Sequence, residues 1–228
     1  MKTIGLIGGT GWVSTVEYYR LINQGVNDLV GGLDYARLIL YSLNYAEFKK
    51  NSDQGDWEIL GHQLSIIARD LERSGAECLL LCANTMHMVA DIVQKSIHIP
   101  VIHIAEETAK EISSHHIKKV GLLGTKFTME QPFFRNKLQQ RGIEPILPPH
   151  AERDFVHDTI YNELGKGIFN AGTRERYLEM IDGLKQQGAE GVIYGCTELP
   201  LLLPEGSSPV RVFDTLRIHA KAAVDFAV

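Results

Sequence analysis

The sequence predicts an α/β protein of two pseudo-symmetric three-layer α/β/α halves, each with a parallel sheet, and an active-site cleft between them. Short runs rich in Val, Ile and Leu alternate with longer stretches of helical periodicity, which argues against an all-β fold or a helix bundle. The chain also repeats itself. KKVGLLGT at 118–125 echoes KTIGLIGG at 2–9, an offset of 118 − 2 = 116. Gly188-Ala189-Glu190 echoes Gly75-Ala76-Glu77 at 188 − 75 = 113, and PVRV at 209–212 echoes PVIH at 100–103 at 209 − 100 = 109. Finally, 228 residues suffice for one large core or two smaller ones. The expected halves are residues 1–105 with about 215–228, and residues 106–214.

The elements follow in order. Ile4 to Ile7 reads as a strand that ends in Gly8-Gly9-Thr10-Gly11. A helix then runs through Tyr18, Tyr19, Leu21 and Ile22, with Ser14 or Thr15 as N-cap and Glu17 in the first turn. Ala36 to Ser42 is the second strand, and the polar stretch Asn44 to Gly55 is a loop or short helix. From Trp57 to Ser74 the apolar residues Leu60, Leu64, Ile67, Ala68 and Leu71 recur at helical spacing, until Gly75 stops the helix. Cys78 to Cys82 is a strand, Met86 to Gln94 is helical, and Pro100 to Ile104 is a strand feeding a helix at Glu106 to Ser113. In the second half, Val192, Ile193 and Tyr194 form a buried strand ended by Gly195, and Thr215 to Phe226 makes the final helix.

Composition narrows the function. Hydrophobic residues make up 44% and charged residues 22%, ordinary values for a globular chain. A net charge of −5 gives no reason to expect nucleic acid or an anionic membrane as partner. No apolar run reaches the roughly 18 residues of a transmembrane helix. The opening segment enters a strand and glycine turn directly, unlike a signal peptide. Three cysteines without scaffold spacing suit a reducing cytoplasm.

The chemistry-bearing residues gather at strand ends, where open α/β sheets bind ligands. Gly8, Gly9, Thr10, Cys82, Ala83, Asn84 and Thr85 are expected to line one side of the cleft. Thr125, Thr128, Cys196, Thr197 and Glu198 are expected to line the other. Glycine-turn amides and hydroxyls are donors for a carboxylate, so the expected ligand is a small amino acid or dicarboxylate. The Gly8-Gly9-Thr10-Gly11 turn fits neither common nucleotide fingerprint. His87, His103, His115 and His116 lack metal-site spacing and read as surface or packing residues, with His87 nearest the cleft. Cys78 reads as a small buried hydrophobe. Glu198 either orients a cleft group or serves as a first-turn helix acid. Cys196, between a glycine and a hydroxyl residue at a strand end, sits where a thiolate is stabilised. The 113-residue offset pairs it with Ala83 (196 − 113 = 83), while Cys82 falls opposite Gly195.

The motifs KTIGLIGG at 2–9, ANTMH at 83–87, TMEQ at 128–131 and GCTEL at 195–199 resemble the aspartate/glutamate racemase family over essentially the whole chain. Glutamate racemases, hydantoin racemases, maleate isomerases and arylmalonate decarboxylases belong to the same wider group. The resemblance implies a cofactor- and metal-independent isomerase, commonly a homodimer, that inverts an α-carbon with two thiols, one ionised and one not. Such enzymes usually place one cysteine before Asn-Thr and the other in Gly-Cys-Thr; some carry threonine at the first position. Here Cys196 meets the second requirement and Ala83 stands at the first. Three explanations remain open: Cys82 reaches the cleft through a strand-end bulge; a water or His87 replaces the second acid; or the alanine marks an introduced or degenerate site. Lys166 lies near the expected position of a substrate-binding lysine, and Lys49, Lys50 and Ser52 are further candidates. The expected activity is racemisation of aspartate or glutamate. The rivals are a one-thiol decarboxylation or isomerisation of a dicarboxylate, and a non-catalytic ligand-binding role.

Overall fold

The computed structural model describes residues 1–228. In order the elements are β1 (Thr3–Gly8), α1 (Trp12–Val30), β2 (Arg37–Ser42), α2 (Tyr45–Gln54), α3 (Trp57–Arg73), β3 (Cys78–Leu81), a 3-10 helix (Asn84–Val89), α4 (Ala90–Gln94), β4 (Val101–Ile102) and α5 (Ile104–Ser114). There follow β5 (Lys119–Gly124), α6 (Lys126–Glu130), α7 (Pro132–Gln139), β6 (Glu144–Ile146), α8 (His150–Asn162), a second 3-10 turn (Leu164–Lys166), α9 (Ala171–Gln186), β7 (Gly191–Gly195), α10 (Leu199–Leu202), β8 (Arg211–Asp214) and α11 (Thr215–Ala227). Contacts divide the chain into one unit of Met1–Ile104 with His219–Val228 and a second of Ala105–Ile218. Each holds one four-stranded parallel sheet, in the order β2-β1-β3-β4 and β6-β5-β7-β8.

The repeat has a physical origin at the Gly-Ala-Glu corners. Gly75 and Gly188 both take φ = 97°, a conformation that a side chain would strain. Each ends a helix in a Schellman pattern: the amides of Ala76 and Ala189 donate to the carbonyls of Leu71 and Leu184, both at 3.0 Å. The following Glu then sews the corner to the neighbouring strand. Glu77 N–H donates to Thr3 O at 2.8 Å, and its carboxylate accepts from Thr3 N–H at 2.7 Å. Glu190 N–H donates to Lys119 O at 2.9 Å, and its carboxylate accepts from the amides of Lys118 and Lys119 at 2.9 and 3.2 Å. The same three residues thus launch the central strands β3 and β7 in register.

Both central strands are buried along their whole length, as parallel strands covered on two faces must be. In the first unit Leu60, Leu64, Ile67, Ala68 and Leu71 of α3 pack with Ile7, Leu79 and Leu81 of the sheet. The polar stretch after β2, expected as a loop or short helix, is a helix, α2, with Asn44 accepting from Ala46 N–H at 3.1 Å and Gly55 left-handed at its end. Other expectations shift. Helix α1 starts at Trp12 behind Gly11, so neither Ser14 nor Thr15 is its N-cap, and Glu17 lies beyond its first turn. Glu17 pairs instead with Arg20 on the helix surface. The strand at 100–104 shrinks to Val101–Ile102, because α5 already begins at Ile104.

Candidate active site

In the second unit, β7 ends at Gly195 and delivers Cys196 into a turn before the four-residue helix α10. Space at this corner is tight. A Cβ on Gly195 would sit 2.9 Å from Leu123 O and 3.0 Å from Thr128 Cγ2, and one on Gly124 would lie 3.0 Å from Gly195 O. Glycine is therefore required where α6 closes on the sheet. Thr128 is the closing residue, with no exposed surface, so it packs the corner and is not available to a ligand. Thr125 caps α6, its Oγ1 accepting from Thr128 N–H at 3.3 Å.

Cys196 is 8% exposed. Its Sγ donates to Glu198 Oε2 at 3.0 Å, and Thr197 Oγ1 donates to the same oxygen at 2.8 Å. Glu198 is thus the acceptor for the thiol, and its side chain makes no cap bond to α10. Burial holds the thiol well above the ordinary cysteine range, and the charge and hydrogen bond of Glu198 push it the same way. The backbone amides of Thr197 and Glu198 pull in the opposite direction without prevailing. This environment favours the neutral thiol, where the sequence suggested a stabilised thiolate. Behind it Tyr177 is fully buried, its hydroxyl within 2.9 Å of Thr159 Oγ1 and donating to Val156 O at 3.3 Å.

In the first unit the end of β1 is already closed. Gly9 takes φ = 90°, and a Cβ there would lie 2.3 Å from Leu43 O. Its N–H donates to Thr15 Oγ1 at 2.9 Å, so this amide is already committed rather than open to a substrate carboxylate. Thr10 Oγ1 is buried and makes no hydrogen bond.

Strand β3 stays in regular parallel register with β1 through Leu81, and Cys82 N–H extends the ladder to Ile7 O at 2.9 Å. No bulge turns Cys82 outward. Its side chain is buried, and burial raises its thiol far from ionisation at neutral pH. The bulge explanation therefore fails. The reason is visible by comparison with Gly195, which holds the same place on β7: a Cβ there points into packed atoms.

Ala83, the counterpart of Cys196, is extended (φ −154°, ψ 144°) and half-buried at the start of the 3-10 helix. Asn84 is buried and Thr85 half-buried within that helix. His87 lies just beyond, 2% exposed, with Nδ1 3.1 Å from Ala83 O and Nε2 3.2 Å from Ile104 N. With both nitrogens on backbone groups, it is not a mobile acid replacing a second thiol.

The remaining candidates scatter. Ser52 is buried in α2 and donates to Lys49 O at 3.0 Å, while Lys49 pairs with Asp53 at 2.5 Å. Lys166 is exposed at the end of the second 3-10 turn. Cys78 is buried, its thiol pushed up to about 12 by burial. His115 pairs with Glu111 at 3.3 Å on α5. Sequence reasoning missed His219, a buried residue of α11, because a lone histidine among alanines carries no motif. No group of three or more His, Cys, Asp or Glu side chains is placed to hold a metal ion. No helix is long and apolar enough to cross a membrane.

A family model described as Asp/Glu/Hydantoin racemase matches residues 7–223. The broad specificity amino-acid racemase RacX of Bacillus subtilis (strain 168) is 26% identical over 230 residues, covering 97% of this chain and 96% of that protein. A crystal structure from Yersinia pestis with a provisional Asp/Glu racemase designation shares 46% identity at a TM-score of 0.95, covering 100% of this chain and 99% of that one. An aspartate racemase homologue from Pyrococcus horikoshii OT3 shares 37% identity at a TM-score of 0.87, with the same coverage.

Proposed function

Because the chain belongs to the Asp/Glu/Hydantoin racemase family, we propose that it racemises an acidic amino acid, aspartate or glutamate, without cofactor. The observation that carries this proposal is the hydrogen bond from the Cys196 thiol to the Glu198 carboxylate at the end of β7. A neutral thiol is a poor base, yet a carboxylate 3.0 Å away can take its proton. The thiolate then removes the substrate α-proton, leaving a carbanion whose charge spreads onto the substrate carboxylate. Return of the proton from sulfur to carbon restores the starting enantiomer; protonation of the other face gives its mirror image. Hydroxyl and amide groups of Thr10, Asn84, Thr85, Thr125 and Thr197 are proposed to bind the substrate's charged ends. On the same view the protein is a cytoplasmic homodimer whose partner is a small amino acid or dicarboxylate.

By the family pattern, Cys196 and residue 83 serve opposite faces of the α-carbon. A methyl group holds no proton, Cys82 is buried, and His87 is bound to backbone at both nitrogens. Within the racemase reading, Cys196 is then the only working protein base, and water protonates the opposite face slowly.

Incubation of each enantiomer of aspartate and glutamate in heavy water separates these possibilities. Deuterium uptake with inversion supports racemisation, whereas uptake with retention supports a single base. Binding without any uptake supports a ligand-binding protein and sinks the enzymatic proposal.

A further inference from the structure

Two buried histidines in the first unit are tied to backbone rather than to each other. His87 accepts the Ile104 N–H at Nε2, which favours the ring proton on Nδ1 facing Ala83 O; the backbone of Asn84 and Ile102 also meets the ring. His219 lies 2.7 Å from Ile102 O through Nε2, which fixes the opposite tautomer. Its bare Nδ1 then accepts from Tyr18 OH at 2.8 Å. The His87 ring packs 4.7 Å from His103 and 5.5 Å, edge-on, from His219, and Tyr18 packs edge-on against His219 at 5.6 Å. The residues on either side of His103 are thereby gripped, one by each ring. One of those rings also holds the carbonyl of residue 83.

We propose that His87 is a positioning residue for the proposed reaction: it ties the Ala83 carbonyl to the Ile104 amide and so fixes the backbone that presents Ala83, Asn84 and Thr85. A 3-10 segment needs such a tie, since its own hydrogen bonds are poorly aligned and such runs are short. The ring spans two backbone groups whose chain positions differ by 21 residues (104 − 83), which links the segment to the start of α5. Displacement of a binding group by about 1 Å costs on the order of a hundredfold in rate. The inference rests on the racemase reading for its catalytic consequence, and on geometry alone for the ring's proton.

Two variants divide the two bonds. His87→Asn sets an amide N–H near the place of Nδ1–H and keeps the bond to Ala83 O. His87→Gln reaches toward Ile104 N–H and releases Ala83 O. The expected result in the heavy-water exchange assay is a fall in kcat of about 10- to 100-fold for His87→Gln, with KM changed by less than about threefold. His87→Asn is expected to stay within about threefold of the parent. Nitrogen-15 NMR of the unsubstituted protein reads the ring directly, without depending on any variant's folding. It should show a protonated Nδ1 and a bare Nε2 for His87; the reverse tautomer overturns the inference. So does a folded His87→Gln protein with unchanged kcat while Cys196→Ser is inactive, and in that case the racemase reading stands. Equal losses in both variants that track a loss of folded protein also overturn it. Absence of exchange in the parent, with every amino acid offered, overturns the racemase reading and takes the positioning role with it.

Discussion

The ends of β3 and β7 leave the same Gly-Ala-Glu corner and arrive at different side chains. Both corners hold a glycine at φ = 97° and the same Schellman bonds, and both strands are buried throughout. Beyond the strand, β7 offers a thiol hydrogen-bonded to a carboxylate, and β3 offers a methyl group ahead of a 3-10 helix. The backbone is shared and the side chain that follows it is not. A duplicated scaffold thus fixes where a reacting group can stand, without deciding whether one does.

The largest expected effect separates the two strand ends by their sulfurs. Cys196→Ser should lower α-hydrogen exchange by at least about a thousandfold, because a hydroxyl is a far weaker acid than a thiol. Cys82→Ser should leave the exchange rate of folded enzyme within a fewfold. It is expected to cost stability instead, since it sets a hydroxyl where a thiol is now buried. Equal loss of exchange in both variants would restore Cys82 as a partner.

Next comes repair of the unequal site. Ala83→Cys supplies a proton carrier at the position matching Cys196 and should raise the inversion rate roughly a hundredfold, the usual scale of a placed general acid. Polarimetry of each aspartate and glutamate enantiomer checks it, and an unchanged rate would mean that residue 83 does not serve the opposite face.

Glu198→Gln probes the thiol itself. The carboxylate raises the Cys196 pKa both by its charge and by the hydrogen bond it accepts, so its removal should lower that pKa. Iodoacetamide alkylation followed against pH should show its midpoint move to lower pH. Turnover should nonetheless fall about tenfold or more, because the neutral amide cannot take the thiol proton.

The smallest effect concerns acid stability of the first unit. Burial holds His87 and His219 neutral, at about 4 and about 3, against about 6.5 in an unfolded chain. The groups facing them are His103, Tyr18 and one another. A base with a depressed folded pKa contributes full stability above the unfolded value. As pH falls below about 6.5 the unfolded state takes up protons first, at about 1.4 kcal/mol per pH unit per histidine. The loss levels off once pH passes the folded values near 4 and 3. His219→Gln should flatten that slope in urea unfolding between pH 6 and 4, and an unchanged slope would contradict the assignment.

Much of the scaffold was legible in the sequence because the repeat is a backbone requirement. Gly75 and Gly188 must be left-handed, and Glu77 and Glu190 must meet strand amides, so the same letters recur. The pairing of Ala83 with Cys196 followed from the same spacing. What the sequence hid were side-chain choices made by packing. Gly9 reads as an open amide until Thr15, six residues on, is seen to occupy it. Thr128 reads as a ligand hydroxyl until the bare Cα atoms of Gly124 and Gly195 reveal its packing role. Cys196 sits in a turn that suggests a thiolate, yet burial and Glu198 keep the proton on. His219 joins Tyr18 from 201 residues away, a contact that no local pattern announces.

Cys196 is proposed to act without a partner thiol at residue 83. Measuring α-deuterium incorporation and inversion together, on one sample of L-aspartate and one of L-glutamate in heavy water, decides this. Incorporation should outrun inversion for the accepted substrate, and Ala83→Cys should bring the two rates together. Equal rates in the unsubstituted protein would contradict it, since they require a second group already at work on the opposite face.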